Sequence, residues 1–274
     1  MVTCNILGPG PANNGLGNQL FCVAATLAHS FRHNVEAFFP ELIREPFKKY
    51  ATTIFHQLAS HPPRVDQIVK QFNEPPNSST IHHQIPPYKN LKLNGFFQSY
   101  KYFDEFRGDI LSLFSLPHNL ENSIKKQYSS VLENSKTSTS LHVRRGDYVE
   151  NFSGNFVNLG QSYYSAALKA QPNKTIVIFS DDIQWCRKEF TLPAYDFTFV
   201  ESNCEVTDLY LMSQMACNII ANSTFSWWGA YLNRHKNKKI IYPSLWYGHL
   251  RANRNNDLKD LFPEEWLKIQ VDYK

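Results

Sequence analysis

From residue 138 onward the chain alternates short apolar runs with helical patterns, and this most restricts its fold. Runs at 138–143, 175–179, 197–200, 218–221 and 239–242 are separated by helical stretches at 162–170, 183–190, 206–217 and 225–234. Strands that alternate with helices of this length pair in parallel, because only a crossover helix returns the chain to the same sheet edge. Five such strands predict a Rossmann-like domain, in which ligands sit beyond the C-terminal strand ends. The N-terminal part opens the same way. A strand at 2–7 leads through a Gly- and Pro-rich turn to a helix at 18–31, with Leu20, Val23, Ala24, Leu27 and Ala28 on one face, then to a strand at 35–39.

Residues 61–90 interrupt the pattern with three Pro-Pro pairs and the polar run Asn77-Ser78-Ser79, and read as an insertion. A strand at 91–97 and helices at 99–114 and 120–132 follow. The small polar run 134–139 suggests a boundary between an α/β domain over 1–134 and a Rossmann-like domain over 135–274. A net charge of +4 with scattered Lys and Arg admits a small anionic ligand but lacks the basic stripe of a nucleic-acid binder. Five cysteines in no metal or disulfide spacing suit a reducing compartment. Residues 1–30 lack the basic start of a signal peptide, and no apolar run nears the ~20 residues that span a bilayer. The expectation is a cytoplasmic protein without a transmembrane segment, with peripheral contact to a membrane left open.

Polar clusters mark four expected strand ends. His142-Val143-Arg144-Arg145-Gly146-Asp147 ends a strand on two guanidiniums. Alternation puts Arg144 on the face of His142 and turns Arg145 the other way, toward a carboxylate such as Asp147. A planar fork of donors on a rigid strand end suits phosphate, whereas the structural alternative is an Arg–Asp pair closing a turn. Gly15-Leu16-Gly17-Asn18-Gln19 lets backbone approach a ligand ahead of a helix N-terminus, but taken alone it is an ordinary βα turn. Ser180-Asp181-Asp182 pairs two carboxylates; adjacent aspartates do not both face one ion easily, and capping or holding an arginine suits them better than metal. Asn222-Ser223-Thr224-Phe225-Ser226-Trp227-Trp228 offers hydroxyls and amides at a strand-to-helix turn, a phosphate seat that is also an N-cap. The two tryptophans read as core.

Together, Gly-Leu-Gly-Asn-Gln-Leu-Phe (15–21), His-Val-Arg-Arg-Gly-Asp-Tyr (142–148), Phe-Ser-Asp-Asp-Ile-Gln-Trp (179–185) and Ser-Thr-Phe-Ser-Trp-Trp-Gly-Ala-Tyr-Leu (223–232) resemble, in order and spacing, the motifs of α-1,2-fucosyltransferases. The resemblance implies a GT-B-like α/β fold, two Rossmann-like domains facing a cleft, with the N-terminal one on the acceptor side. It implies inverting transfer of fucose from GDP-fucose to a glycan hydroxyl, expected to be O2 of galactose, with no cofactor and no metal. It suggests Arg144 on the donor diphosphate and His142 near the nucleoside. Asp208 would read guanine, Ser223, Thr224, Phe225 and Ser226 would surround the β-phosphate, and Asn18, beside Gly15 and Gly17, would reach the fucose. Arg145, Asp181 and Asp182 are expected as support. Asp147 and Glu150 are the carboxylates nearest to Arg144 in sequence, and either could accept the acceptor's proton. The alternatives are an α-1,6- or protein O-fucosyltransferase, or a non-catalytic protein that binds a nucleotide sugar or glycan.

Overall fold

The computed structural model describes residues 1–6, 15–58, 70–150, 154–202, 204–252 and 257–272. The chain divides into two compact units, one of residues 1–123 and 257–263, the other of 124–256 and 264–274.

In the first unit, β1 (Val2–Cys4) leads to α1 (Leu16–His33), α2 (Lys48–Ala51), β2 (Lys70–Asn73), β3 (Leu91–Asn94) and α3 (Arg107–Leu113). The strands form a parallel sheet in the order β1-β3-β2. Helix α1 is the expected amphipathic element; Leu20, Val23, Ala24 and Ala28 have no exposed surface. Three expectations change here. The strand at 35–39 reduces to one bridge between Ala37 and Val2, because Pro40 starts a 3-10 turn at once. The helix at 99–114 breaks into 3-10 turns at Tyr100–Tyr102 and Asp104–Phe106 before α3, where Tyr102 and Phe103 turn into the core. Strand β2 lies inside the region read as an insertion; its hydrogen bonds go to β3 although its side chains are mostly exposed, so no alternation announces it.

Helix α4 (His118–Gln127) carries the division between Ser123 and Ile124, and α5 (Ser129–Leu132) follows. The polar run 134–139 that composition suggested as a linker instead enters β4 (Ser138–Val143), every residue of which is buried. Its hydroxyls are paired: Ser138 Oγ donates to the Asn134 carbonyl (2.7 Å) and Thr139 Oγ1 to Gln171 Oε1 (2.8 Å). Satisfied in this way, serine and threonine cost little in a core strand.

The remaining elements are α6 (Gly146–Glu150), α7 (Gln161–Lys169), β5 (Thr175–Ser180), α8 (Ile183–Glu189), β6 (Asp196–Phe199), α9 (Glu205–Ser213), β7 (Cys217–Ile219), α10 (Thr224–Tyr231), β8 (Lys239–Pro243), α11 (His249–Ala252) and β9 (Leu267–Ile269). Six parallel strands pair in the order β6-β5-β4-β7-β8-β9. Counted from β4, that is third, second, first, fourth, fifth, sixth: the doubly wound Rossmann order, whose direction reverses between β4 and β7. Chain ends leaving adjacent strands in opposite directions open a crevice at that point, so a ligand site is expected where β4 and β7 finish. Trp227 and Trp228 on α10 are fully buried, with Trp227 stacked on Tyr231 at 4.8 Å. No described helix is long and apolar enough to cross a membrane.

Candidate active site

The register of β4 on β5 pairs Val143 with Ser180. Continued past the strand ends, it sets Arg144 and Arg145 against Asp181 and Asp182. Arg144 Nη1 lies 3.0 Å from Asp181 Oδ2, and its Nη2 lies 2.6 Å from Asp147 Oδ1, one turn along α6. Arg145 turns to the other face, as alternation requires. Its Nε donates to Asp182 Oδ2 at 3.2 Å, and the guanidinium lies 4.0 Å from the centre of the Trp185 ring. The expected Arg145–Asp147 pair is therefore replaced: the chain enters α6 at Gly146 and carries Asp147 back under Arg144. Asp182 is used twice, since its Oδ1 also accepts the Trp185 N–H (3.0 Å) at the start of α8.

Asp181 is fixed on both oxygens. Its Oδ1 accepts the Arg145 N–H at 2.9 Å. A Cβ on Gly146 would lie 2.7 Å from its Oδ2, so the glycine lets the carboxylate sit against this backbone, and a side chain there would have to shift it. Tyr148, not anticipated as a site residue, lies with its ring centre 5.4 Å from the Arg144 guanidinium, and its hydroxyl donates to the Asn222 carbonyl at 3.0 Å. That bond ties α6, on the β4 side, to the segment after β7. Its sequence signal was its place in the His142-to-Tyr148 run.

His142 points into the same region. It is 5% exposed, its ring lies 5.6 Å from that of Phe225, and Nδ1 has no partner among the described residues. Burial, with the Arg144 charge adding to it, lowers its pKa to about 3. The imidazole is therefore neutral at physiological pH and offers a ligand one ring nitrogen without bringing a charge.

Across the reversal point, Ser223 caps α10, its Oγ accepting the Phe225 N–H at 3.3 Å. Thr224 opens the helix. The Ser226 hydroxyl does not face outward: it donates to the carbonyls of Ser223 (3.3 Å) and Ala221 (3.5 Å), because the third helical position lies over the preceding turn. Asn222 is buried, donating to the carbonyls of Val157 and Trp246 while its Oδ1 has no partner among the described residues. Asp208 sits in the first turn of α9, where its Oδ1 accepts from Ser202 Oγ at 2.5 Å. Burial raises its pKa to about 6, against the Ser202 hydrogen bond, and Glu205 adds to the rise. Glu150 ends α6, exposed.

The first unit carries the Gly15, Gly17 and Asn18 cluster. Gly15 is the N-cap of α1, Gly17 lies buried inside its first turn, and Asn18 follows. Asn18 Oδ1 accepts from Gln98 Nε2 at 2.8 Å. With its oxygen taken, Asn18 presents its amide N–H₂. Gln98 had no sequence signal; it follows Phe97, buried at φ +50°. Glu74 fixes that turn by accepting the N–H groups of Phe96 (2.8 Å) and Phe97 (3.1 Å). No group of three or more His, Cys, Asp or Glu is placed to hold a metal ion among the described residues.

The fold is that of known sugar transferases. POFUT1 in complex with GDP-fucose superposes with a TM-score of 0.53 over 88% of this chain and 97% of that one, at 12% identity. Fucosyltransferase NodZ from Bradyrhizobium does so with 0.50 over 83% and 91%, at 14% identity. Such identities speak for the fold alone, and they define the class: an α/β protein of the GT-B kind. The sequence matches glycosyl transferase family 11 over residues 12–270, and the chain belongs to that family. It is 34% identical to the O-antigen biosynthesis glycosyltransferase WbnK of Escherichia coli over 65% of this chain and 60% of that protein's length. With the alpha-1,2-colitosyltransferase of Escherichia coli it shares 32% identity over 76% and 72%. A galactoside 2-alpha-L-fucosyltransferase of Caenorhabditis elegans is 26% identical over 93% and 77%.

Proposed function

We propose that this protein transfers L-fucose from GDP-fucose to the 2-hydroxyl of a glycan-terminal galactose, with inversion and without a metal ion. The observation that carries the reading is the pairing, at the one reversal point of the six-stranded sheet, of the Arg144 guanidinium after β4 with the capped start of α10 after β7. Breaking the bond between fucose and phosphate leaves negative charge on GDP. A guanidinium and helix N-terminal amides, fixed before the reaction, stabilise that charge without reorganising. The sugar passes through an oxocarbenium-like state, as in glycoside hydrolysis.

In this reading His142 lies near the nucleoside, Asp208 reads guanine, and Ser223 and the amides around Thr224 and Phe225 hold the β-phosphate. Asn18 donates to the fucose or its leaving oxygen, and residues 1–134 supply the acceptor side. Asp147 or Glu150 takes the acceptor's proton. The α-1,2 linkage is favoured over α-1,6 or protein O-transfer because the relatives aligned at 26–34% identity include an α-1,2- and a 2-α-transferase. The likeness to NodZ and POFUT1 is one of fold. Colitose lacks one hydroxyl of fucose, so the donor sugar belongs in the same test.

Purified protein is incubated with GDP-fucose, or its 3-deoxy analogue, and a panel of terminal galactosides, glucosaminides and peptides. The linkage is read by NMR. Fucosyl-α-1,2-galactoside formed equally with and without EDTA is the expected result. Transfer only to O6 or to peptide, hydrolysis without transfer, or rescue of a chelated enzyme by Mn²⁺ would replace this reading.

A further inference from the structure

Two carboxylates hold the same guanidinium, and they are held differently. Asp181 has a backbone N–H on one oxygen, Arg144 on the other, and lies against Gly146, where an added Cβ would come within 2.7 Å of it. Asp147 Oδ1 lies 2.6 Å from Arg144 Nη2, and among the described residues that guanidinium is its one partner. Its hold is a single, partly exposed contact between charges with no backbone N–H to fix it, and such a pair is weak. The three side chains also sum to one negative charge. A diphosphate brings at least two more to the same guanidinium, so one carboxylate has to give way.

We propose that Asp181 is a positioning residue that aims Arg144, and that Asp147 is a displaceable partner which a nucleoside diphosphate-sugar evicts. This rests on the donor-binding reading above. It then selects Asp147 as the base. While paired with Arg144, the carboxylate oxygen is occupied by the guanidinium and is not open to an acceptor hydroxyl. Once the diphosphate takes Nη2, Asp147 is left without its cation beside the reacting carbon. In the transfer step the acceptor oxygen bonds to the anomeric carbon as the bond from that carbon to the phosphate oxygen breaks. The electron pair of the broken bond leaves on the nucleoside diphosphate, and the acceptor's proton passes to the freed Asp147 carboxylate. The base is thus uncovered only when donor is present, and binding is ordered, donor first.

The two roles predict opposite signs in one experiment, calorimetric titration of the intact protein with GDP alongside steady-state kinetics. Asp147→Asn removes the competitor and should tighten GDP by about two- to fivefold, the weight of one partly exposed ion pair. The same variant should lose about 10²–10⁴ in kcat. Asp181→Asn should do the reverse, weakening GDP and raising the donor KM more than it lowers kcat. Asp147→Ser repeats the measurement should the asparagine variant melt early. GDP binding weakened or unchanged in both Asp147 variants, or kcat retained, overturns the eviction. Wild-type protein that does not bind GDP at all overturns the donor-site reading first, and this proposal with it.

Discussion

The rims of the two parallel sheets carry different chemistry. Beyond β4 and β5, in the second unit, two arginines meet three aspartates. In the first unit the comparable region carries, among the described residues, amides, Asn18 on Gln98, and the carboxylate of Glu74, turned onto backbone N–H groups. Topology alone would allow a ligand at either. The side chains decide what kind. A charged rim that pays for its own desolvation with ion pairs is suited to phosphate. Neutral amides, which point one donor pair outward once the other end is tied, are suited to hydroxyls.

The sharpest way to break this contrast is to discharge the second rim. Arg144→Ala should lower kcat by about 10²–10³, the usual loss for one preorganised charge-stabilising donor. Arg144→Lys should recover little, since an ammonium cannot span two partners as the fork does. Arg145→Ala should instead lower the melting temperature, because its guanidinium joins Asp182 and Trp185 on the face away from Arg144. Full turnover in the Arg144 variants, with loss confined to Arg145, would reverse the assignment of faces.

Much of this rim was legible in the sequence, since period-2 alternation and the Arg-Arg and Asp-Asp pairs were written at strand ends. Which aspartate meets which arginine was not. That depends on the register of β4 against β5 and on the turn at Gly146, both set by tertiary pairing. The first unit was less readable for a physical reason. Its β2 is exposed and carries no hydrophobic alternation, and Gln98 reaches Asn18 across 80 residues of chain. Polar composition also misled at 134–139, where hydroxyls buried in a strand are satisfied, Ser138 by the nearby Asn134 carbonyl and Thr139 by the distant Gln171.

A smaller effect sharpens the reading of Asp208. An ionised carboxylate accepts both N1–H and the exocyclic amine of guanine, while adenine presents a lone pair at the first position. Asp208→Asn keeps one acceptor and should weaken GDP by about 10–100-fold, the worth of a charged hydrogen bond, and bring GDP and ADP closer together. Because burial lifts this carboxyl to about 6, wild-type affinity should fall as pH drops through 6, and the variant should lack that step. Calorimetry with both nucleotides at pH 5 and 8 measures it. An unchanged GDP constant in the variant would return Asp208 to a charge complementing the start of α9.

The smallest effect concerns stability of the neutral rim. Burial raises Glu74 to about 7, against the Phe96 and Phe97 N–H bonds that favour its anion. An unfolded glutamate ionises near 4.5. Between these values the folded state holds the proton more tightly, so stability contributed by the protonated form is complete below about 4.5. It is lost as pH climbs to 7 and stays lost above. Glu74→Gln keeps an acceptor for the two amides and cannot ionise. Its melting temperature should match wild type at pH 4 and exceed it at pH 8 by several degrees, at about 2–4 °C per kcal/mol for domains of 150–250 residues. The readout is a set of melts from pH 4 to 8 for both proteins. Parallel curves would mean that Glu74 is ionised throughout, and that the first rim carries charge after all.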